Sequence, residues 1–172
     1  TVGSMQGSFS TFLLCAHLEQ GKDTILFIDP GFPVQRTQTR ILGIRSDSFD
    51  IYDYRGEKLH AKLESHLKSG RIAALIYSSP NNPAWFNLTD DELKTIGKLA
   101  TEYDVIVIED LAYMCMDFRK PLGQPYQPPF QPTVAKYTDN YIIMMSGSKM
   151  FSYAGQRIAI LAISDYLFKR EY

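Results

Sequence analysis

Short apolar runs alternate with amphipathic segments along this 172-residue chain. Runs rich in aliphatic and β-branched residues predict strands. They cover residues 24–28, 73–77, 105–108, 141–145 and 158–161, and a weaker candidate covers 49–52. Apolar positions at helical spacing predict helices over residues 8–19, 34–42, 57–68 and 89–103, and a last helix that begins at 165 and continues to 172.

Two of these segments carry more detailed predictions. In the first helix we expect the buried face to hold Phe9, Phe12, Leu13, Ala16 and His17. In the fourth, Thr89 followed by Glu92 forms the pattern of a capping box at the helix start. Residues 119–140 contain five of the nine prolines, which predicts one long structured loop.

The alternation of strands and helices sets the fold class. Strands separated by helices pair in parallel through right-handed crossovers. Strands that are apolar throughout are covered on both faces. We therefore expect an α/β fold, a three-layer α/β/α sandwich with a mostly parallel sheet. Ligands in such sheets bind at the carboxyl ends of the strands, and Asp29, Asn82 and Asp110 each follow an apolar run.

Composition narrows the functional classes. The length predicts one domain, and a net charge of −1 offers nothing to attract nucleic acid or an anionic membrane. No apolar run is long enough for a membrane span, and no signal peptide is visible. Cys15 and Cys115 belong to no metal-binding pattern, so we predict buried free thiols, no metal site and a reducing, cytoplasmic location.

The strongest functional candidate is Lys149. It ends the segment Ser146-Gly147-Ser148-Lys149, which lies between two predicted strands, and Arg157 follows eight residues later. A lysine between buried strands is costly unless it is paired, neutral or covalently used. An arginine binds a phosphate through a bidentate fork, and Ser146 and Ser148 supply short hydroxyl donors. This pattern predicts a lysine with a chemical role.

Other candidates lie at the predicted strand ends. The small-residue turn over residues 3–7 feeds the first helix and presents the amides of Ser4 and Met5 to an anion. Asn82 can donate to a ligand oxygen. Asp110 ends a strand, and alternation places it on the opposite face from Glu109. Each feature taken alone is also consistent with a turn, a helix cap or an ion pair.

Together these groups describe one ligand. It has a phosphate, a basic ring nitrogen, a phenolic oxygen and an aldehyde, which is the chemistry of pyridoxal 5′-phosphate. The matching groups are the Ser4 and Met5 amides, Ser146, Ser148 and Arg157 for the phosphate; Asp110 for the nitrogen; Asn82 and Tyr113 for the phenolic oxygen; and Lys149 for the aldehyde.

The chain resembles the large domain of fold-type-I pyridoxal-phosphate enzymes, specifically the class I/II aminotransferases. Five segments match in the order of the family and span essentially the whole chain; they are residues 3–7, 29–33, 79–83, 110–113 and 146–157. The resemblance implies that Phe32 stacks on the pyridine ring. Two departures leave the substrate class open. Ala84-Trp85 stands where the family often has Thr-Gly, and Phe32 where it often has Tyr or Trp.

The resemblance also implies a mechanism. Lys149 would form a Schiff base with the cofactor, and its freed amine would then move a proton. Asp110 would keep the ring nitrogen protonated, while Tyr113 and Asn82 hold the phenolic oxygen. The implied activity is amino-group transfer between an amino acid and a 2-oxo acid, in a homodimer. By this resemblance the chain is the cofactor-binding large domain without the N-terminal arm and the small domain, so we expect cofactor binding without full turnover.

Three alternatives stay open. One is a carbon–sulfur lyase or decarboxylase of the same fold, because a fold does not fix the reaction. Another is a non-catalytic effector-binding module of a regulator. The last is an α/β domain that binds a nucleotide or phosphate without lysine chemistry.

Overall fold

A sheet of six strands forms the centre of the molecule. The computed structural model describes residues 1–119, 121, 124 and 126–171. The strands are β1 (Thr24–Asp29), β2 (Arg45–Asp50), β3 (Ile72–Ser78), β4 (Ile106–Leu111), β5 (Tyr141–Ser146) and β6 (Ala159–Ile163). Their order is β2-β1-β3-β4-β5-β6. The first five strands are parallel and β6 pairs antiparallel with β5, which confirms a mostly parallel sheet.

The helices are α1 (Gly3–Leu18), α2 (Pro33–Ile41), α3 (Lys58–Leu67), α4 (Asp90–Glu102), α5 (Gly147–Met150) and α6 (Asp165–Lys169). Three of them, α2, α3 and α4, lie where the apolar spacing predicts them. The first helix begins at Gly3 rather than at residue 8, so the predicted turn over residues 3–7 belongs to the helix itself. The short helix after β5 was not predicted. The predicted capping box is present at α4, where the Thr89 side chain accepts from the Glu92 amide and the Glu92 carboxylate accepts from the Thr89 amide. Tyr172, the last residue of the predicted final helix, lies outside the described residues.

Two apolar clusters show that the sheet is covered on both faces. On one face α3 and α4 pack Leu63 and Ile96 against strand residues such as Leu75. On the other face α1 packs Phe12 against strand residues such as Ile76. Leu75 and Ile76 are neighbours in β3, so the strand alternates between the two clusters. The predicted three-layer sandwich is confirmed.

The buried face of α1 differs from the prediction. Phe12 is fully buried, but Phe9 is 36% exposed and Leu13 is 42% exposed. Small residues face the sheet instead: a Cβ added at Gly7 would lie 3.0 Å from a methyl carbon of Leu161. At Gly7 the helix therefore approaches β6 too closely for a larger side chain. Phe12 still packs into the sheet, whereas Phe9 and Leu13 point outward.

The two cysteines also differ from each other. Cys15 is buried as predicted, and burial raises the pKa of its thiol to about 12. Cys115 is exposed, so the prediction that it is buried is wrong. It lies in the turns after β4, where its backbone has a φ of 66°. Apolar content alone does not bury a residue that belongs to a surface connection.

The predicted long loop over residues 119–140 contains a short 3-10 turn, Val134–Lys136. Residues 120, 122, 123 and 125 of that loop lie outside the described part of the chain. Among the described residues, no helix has the length and apolar content needed to cross a membrane.

Candidate active site

One cavity gathers the predicted site residues at the carboxyl ends of the parallel strands. Its volume is about 230 Å³. All ten residues predicted from the sequence line it: Ser4, Met5, Phe32, Asn82, Asp110, Tyr113, Ser146, Ser148, Lys149 and Arg157. Ser78, Ala112 and Ala154 also line it and were not predicted. The fold thus brings the candidates together, and their individual roles remain predictions.

The start of α1 forms one end of the cavity. Ser4 and Met5 lie in its first turn, where backbone amides have no intrahelical acceptor. That turn carries no acidic side chain. The helix dipole adds partial positive charge at the same place. This end of the cavity is suited to an anion.

Arg157 lies directly against the start of α1. The Gly3 amide donates to the Arg157 carbonyl oxygen at 2.8 Å. Gly3 has a φ of +70°, and a Cβ there would lie 2.0 Å from a guanidinium nitrogen of Arg157. Only glycine allows both the backbone conformation and this close approach. The guanidinium also donates to the Ser148 hydroxyl at 3.4 Å and to the Ala154 carbonyl at 3.0 Å.

The two serines occupy the turn between β5 and α5. Ser146 is 2% exposed, and its hydroxyl accepts from the Ser148 amide at 3.2 Å. This cap fixes the path of the chain from the strand into the single turn of α5. Arginine, serine hydroxyls and free amides therefore converge on the anion end of the cavity.

Lys149 lies in that same short helix. Its side chain is exposed, and its Nζ lies 6.0 Å from the ring centroid of Tyr113. Lys149 lies between β5 and β6 along the chain, as the sequence predicts, but it is exposed, so the cost of burying a charged lysine does not apply to it. The turn of α5 lifts the residue off the sheet and places it on the wall of the cavity. The amine is therefore open to a ligand.

Asp110 supplies the buried carboxyl group of the site. It is 5% exposed, and burial raises the pKa of its carboxyl group to about 6. Its Oδ1 accepts from the Ala112 amide at 3.0 Å, and its Oδ2 accepts from the Gln35 side chain at 2.8 Å. Neither donor carries a charge. Among the ion pairs of the described residues, none includes Asp110, so its negative charge has no cationic partner there.

Aromatic and amide side chains line the remaining walls. Tyr113 packs edge to face with Trp85, with ring centroids 5.4 Å apart. Trp85 has a φ of 54°, a conformation that glycine adopts at no cost. Asn82 and Phe32, which precedes α2, also line the cavity.

Sequence reasoning missed two buried side chains that support this arrangement. Gln35 donates to Asp110, as described above. Asn81 is 1% exposed and donates to the Pro30 carbonyl at 2.8 Å and to the Ser78 hydroxyl at 3.2 Å, so it ties together the loops after β1 and β3. The periodicity of α2 gave no indication that a glutamine would be buried. The Asn-Pro pair singles out Asn82 and gives no indication that the neighbouring Asn81 is buried.

The donors and acceptors present fit pyridoxal phosphate. Amides, hydroxyls and a guanidinium lie at one end for a phosphate, and a buried carboxyl without a cationic partner among the described residues lies in the same cavity for a ring nitrogen. Across residues 1–119, 121, 124 and 126–171, no three His, Cys, Asp or Glu side chains are grouped so that they could hold a metal ion.

Curated proteins with sequences similar to this chain include aminotransferases. The chain is 26% identical to a probable aspartate aminotransferase of Methanocaldococcus jannaschii, over 86% of this chain and 36% of that protein. It is 27% identical to LL-diaminopimelate aminotransferase 2 of a Nostoc species, over 98% of this chain and 41% of that protein. The chain therefore spans about two fifths of the length of these relatives.

Solved structures share the fold. A crystal structure of an aminotransferase from Mycobacterium tuberculosis matches with a TM-score of 0.74 and 22% identity, over 97% of this chain and 43% of that one. A pyridoxal-phosphate-bound C–S lyase from Staphylococcus hominis matches with a TM-score of 0.74 and 20% identity, over 98% of this chain and 41% of that one. The profile of the family described as aminotransferase class I and II matches residues 2–170. The chain belongs to the class I and II aminotransferase family.

Proposed function

We propose that this chain forms the pyridoxal-phosphate site of an aminotransferase that moves an amino group between an amino acid and a 2-oxo acid. One observation carries the proposal: a single cavity holds a lysine amine, a buried carboxyl group and a cluster of anion-binding donors. Family membership supports the reaction class. The cofactor named for the similar C–S lyase structure supports the ligand.

When bound, pyridoxal phosphate supplies an aldehyde that condenses with amines and a ring that accepts electrons from the substrate α-carbon. Two groups of residues would hold it. The α1 amides, the two serines and Arg157 would bind the phosphate through charge-assisted hydrogen bonds. Asp110 would keep a proton on the ring nitrogen by pairing with the cationic form. Together these groups would hold the ring in the cavity that Lys149 lines.

Lys149 would perform the covalent and proton-transfer work. Its amine would hold the cofactor through the aldehyde group. The same amine, when free, would act as the base and acid that moves a proton at the substrate α-carbon. Tyr113 and Asn82 would donate to the phenolic oxygen, and Phe32 would pack on the ring face. These residues would thereby orient the bound ring.

Lysine labelling tests the site. We expect added pyridoxal phosphate to give a visible absorbance band, and borohydride reduction followed by peptide mass analysis to place the label on Lys149. Lys149→Ala should abolish both the band and the label. Lys94→Ala, an exposed lysine on α4, is the matched control and should change neither. An unlabelled wild-type protein, or a Lys149→Ala variant with an unchanged band, contradicts the proposal.

A carbon–sulfur lyase is the second candidate. The C–S lyase structure matches the fold with the same TM-score, 0.74, as the aminotransferase structure. Product analysis separates the two. Transamination gives a 2-oxo acid and the aminated cofactor, whereas β-elimination gives pyruvate, ammonia and a thiol. Detection of pyruvate and ammonia from a cysteine conjugate would favour the lyase.

The proposal also covers the domain organisation, the oligomeric state, the location and the substrates of the whole protein. Residues 1–172 would be a cofactor-binding large domain, and the whole protein would act as a homodimer in the cytoplasm on an amino acid and a 2-oxo acid. The large exposed apolar side chains of α1 support an interface on that face, because Phe9, Leu13 and Leu14 are each at least 36% exposed. Turnover assays with glutamate, aspartate and aromatic amino donors test the substrate class.

A further inference from the structure

Two buried glutamines on one face of α2 bond to Asp110 and to the first turn of α1. Gln35 is 4% exposed and Gln38 is 8% exposed. Residues three apart on a helix lie side by side. A buried amide is costly unless it is hydrogen-bonded, and the partners of these two amides belong to the proposed cofactor site.

Gln38 holds the first turn of α1. Its Nε2 donates to the Met5 carbonyl oxygen at 2.7 Å, and its Oε1 accepts from the Ser8 hydroxyl at 2.7 Å. Ser8 is fully buried, and its hydroxyl also lies 3.1 Å from the Met5 carbonyl. The amide thus clamps the first turn of α1, in which Ser4 and Met5 line the cavity. Both polar ends of the glutamine side chain are used.

Gln35 holds Asp110. Its Nε2 donates to Oδ2 at 2.8 Å, while the Ala112 amide donates to the other oxygen. A donor to the carboxylate favours its ionised form. A neutral amide does this without cancelling the negative charge, as a lysine or arginine would. The charge therefore remains available to a cationic ring nitrogen.

The other charged and titratable groups near Asp110 do not replace Gln35. Tyr113, Lys149 and Arg157 line the same cavity but make no direct contact with Asp110 among the contacts of the described residues. The first turn of α1 has no acidic side chain. On α2, Arg36 pairs with Asp29. On β4, Glu109 bonds to groups on the opposite face of the sheet.

We propose that Gln35 and Gln38 are positioning residues through which α2 sets the two ends of the cofactor site, Gln38 at the phosphate-binding turn and Gln35 at the ring-nitrogen carboxylate. The proposal rests on the proposed function for the identity of the ligand. It assigns each glutamine to a different chemical part of that ligand. Their effects should therefore separate when one part is removed.

Binding of pyridoxal phosphate and of pyridoxal, which lacks the phosphate, tests this separation. Gln38→Leu should weaken pyridoxal phosphate binding roughly ten-fold, as expected for one hydrogen-bonding group, and leave pyridoxal binding nearly unchanged. Gln35→Leu should weaken both ligands by the same factor. Gln20→Leu, an exposed glutamine after α1, is the matched control and should affect neither. Equal losses for both ligands in both variants would indicate only general structural damage and overturn the proposal.

A carboxyl titration tests Gln35 without the cofactor. The ¹³C shift of the Asp110 carboxyl group, followed against pH, should give a midpoint that rises by about one pH unit in Gln35→Leu, because a donor to the charged form is lost. Gln35→Glu should raise it further, because two carboxyl groups would then share the site. An unchanged midpoint in both variants overturns the role of Gln35.

The binding measurements and the carboxyl titration distinguish a failure of the proposed function from a failure of the positioning roles. If wild-type protein does not bind pyridoxal phosphate, the proposed function fails while the titration still decides whether Gln35 controls Asp110. In that case Gln38 is tested with inorganic phosphate, whose binding should weaken in Gln38→Leu and not in Gln35→Leu. Unchanged phosphate binding in Gln38→Leu overturns its role.

Discussion

Glu109 and Asp110 are neighbours in β4, yet their carboxyl groups lie on opposite faces of the sheet and have different surroundings. Glu109 is fully buried and accepts from the Tyr77 hydroxyl at 3.0 Å, from the Val134 amide at 3.2 Å and from the Thr133 hydroxyl. Asp110 has two neutral donors and faces the cavity. One carboxyl group is satisfied by the chain, and the other has room for a ligand.

Burial alone does not separate these two residues. It raises the pKa of Glu109 to about 7 and that of Asp110 to about 6. A perturbed carboxyl pKa would mark both as functional candidates. The partners distinguish them: Glu109 ties the end of the long loop, at Thr133 and Val134, to the central sheet, whereas Asp110 keeps acceptor capacity beside open space. Open space next to a buried charge is the informative feature.

The largest expected effect is on cofactor binding. Asp110→Asn removes the charge that would pair with the protonated ring nitrogen, and we expect the affinity for pyridoxal phosphate to fall by about 3 kcal/mol, or roughly 100-fold. Glu109→Gln is the matched control, one residue away on the other face, and should bind normally. Absorbance titration measures both.

Equal losses of affinity in Asp110→Asn and Glu109→Gln would contradict the distinction between the two carboxyl groups. They would show that any buried carboxyl group of β4 affects binding, whichever face of the sheet it lies on. A normal affinity in Asp110→Asn would remove Asp110 from the site. A loss confined to Asp110→Asn would support the assignment of one face to structure and the other to ligand binding.

The next effect is on the pH dependence of stability. Because folding raises the Glu109 pKa from 4.5 to about 7, the folded protein binds more protons than the unfolded chain between those values. The contribution of Glu109 to the free energy of unfolding is therefore fully present below about pH 4.5 and is lost as the pH rises through 7. The free energy of unfolding of the wild type should decrease from pH 5 to pH 8. In Glu109→Gln we expect this decrease to be smaller by on the order of 2 kcal/mol, because the variant cannot titrate at this position.

Urea denaturation of the wild type and Glu109→Gln at several pH values measures this difference in pH dependence. The pKa values of Glu92 and Asp104, which pair with arginines, are lowered, so both titrate below this window in the wild type and the variant alike. An identical pH dependence in the two proteins would contradict the titration of Glu109. Asp110→Asn should give a smaller change, centred at lower pH, because its pKa is raised only to about 6.

Much of this comparison could be predicted from the sequence. Apolar runs separated by amphipathic helices predicted the α/β sandwich, and strand alternation predicted that Glu109 and Asp110 lie on opposite faces. Motif order placed ten candidate residues at the strand ends, and all ten line one cavity. These predictions succeeded because period-2 alternation and strand-end geometry are local properties of the chain.

The contacts made across the fold could not be predicted in this way. Gln35 reaches Asp110, 75 residues away along the chain, and helical spacing says nothing of its partner. The exposure of Lys149 depends on one turn of α5 that no apolar pattern marks. The inward face of α1 is set by its close approach to β6, so small residues took the place expected for Phe9 and Leu13.

The smallest expected effect tests how much each hydrogen bond to the Glu109 carboxyl group contributes to stability. Tyr77→Phe removes one of its donors without changing the shape of the ring, and we expect a loss of about 1 kcal/mol in unfolding free energy. The pKa of Glu109 should rise further, because a donor to the charged form is lost. Pyridoxal phosphate binding should be unchanged, since Tyr77 lies in the apolar cluster on the opposite face from the cavity. Urea denaturation and absorbance titration measure the two quantities. A binding loss without a stability loss would mean that Glu109 and its partners communicate with the cavity through β4, and the two faces would no longer be separable.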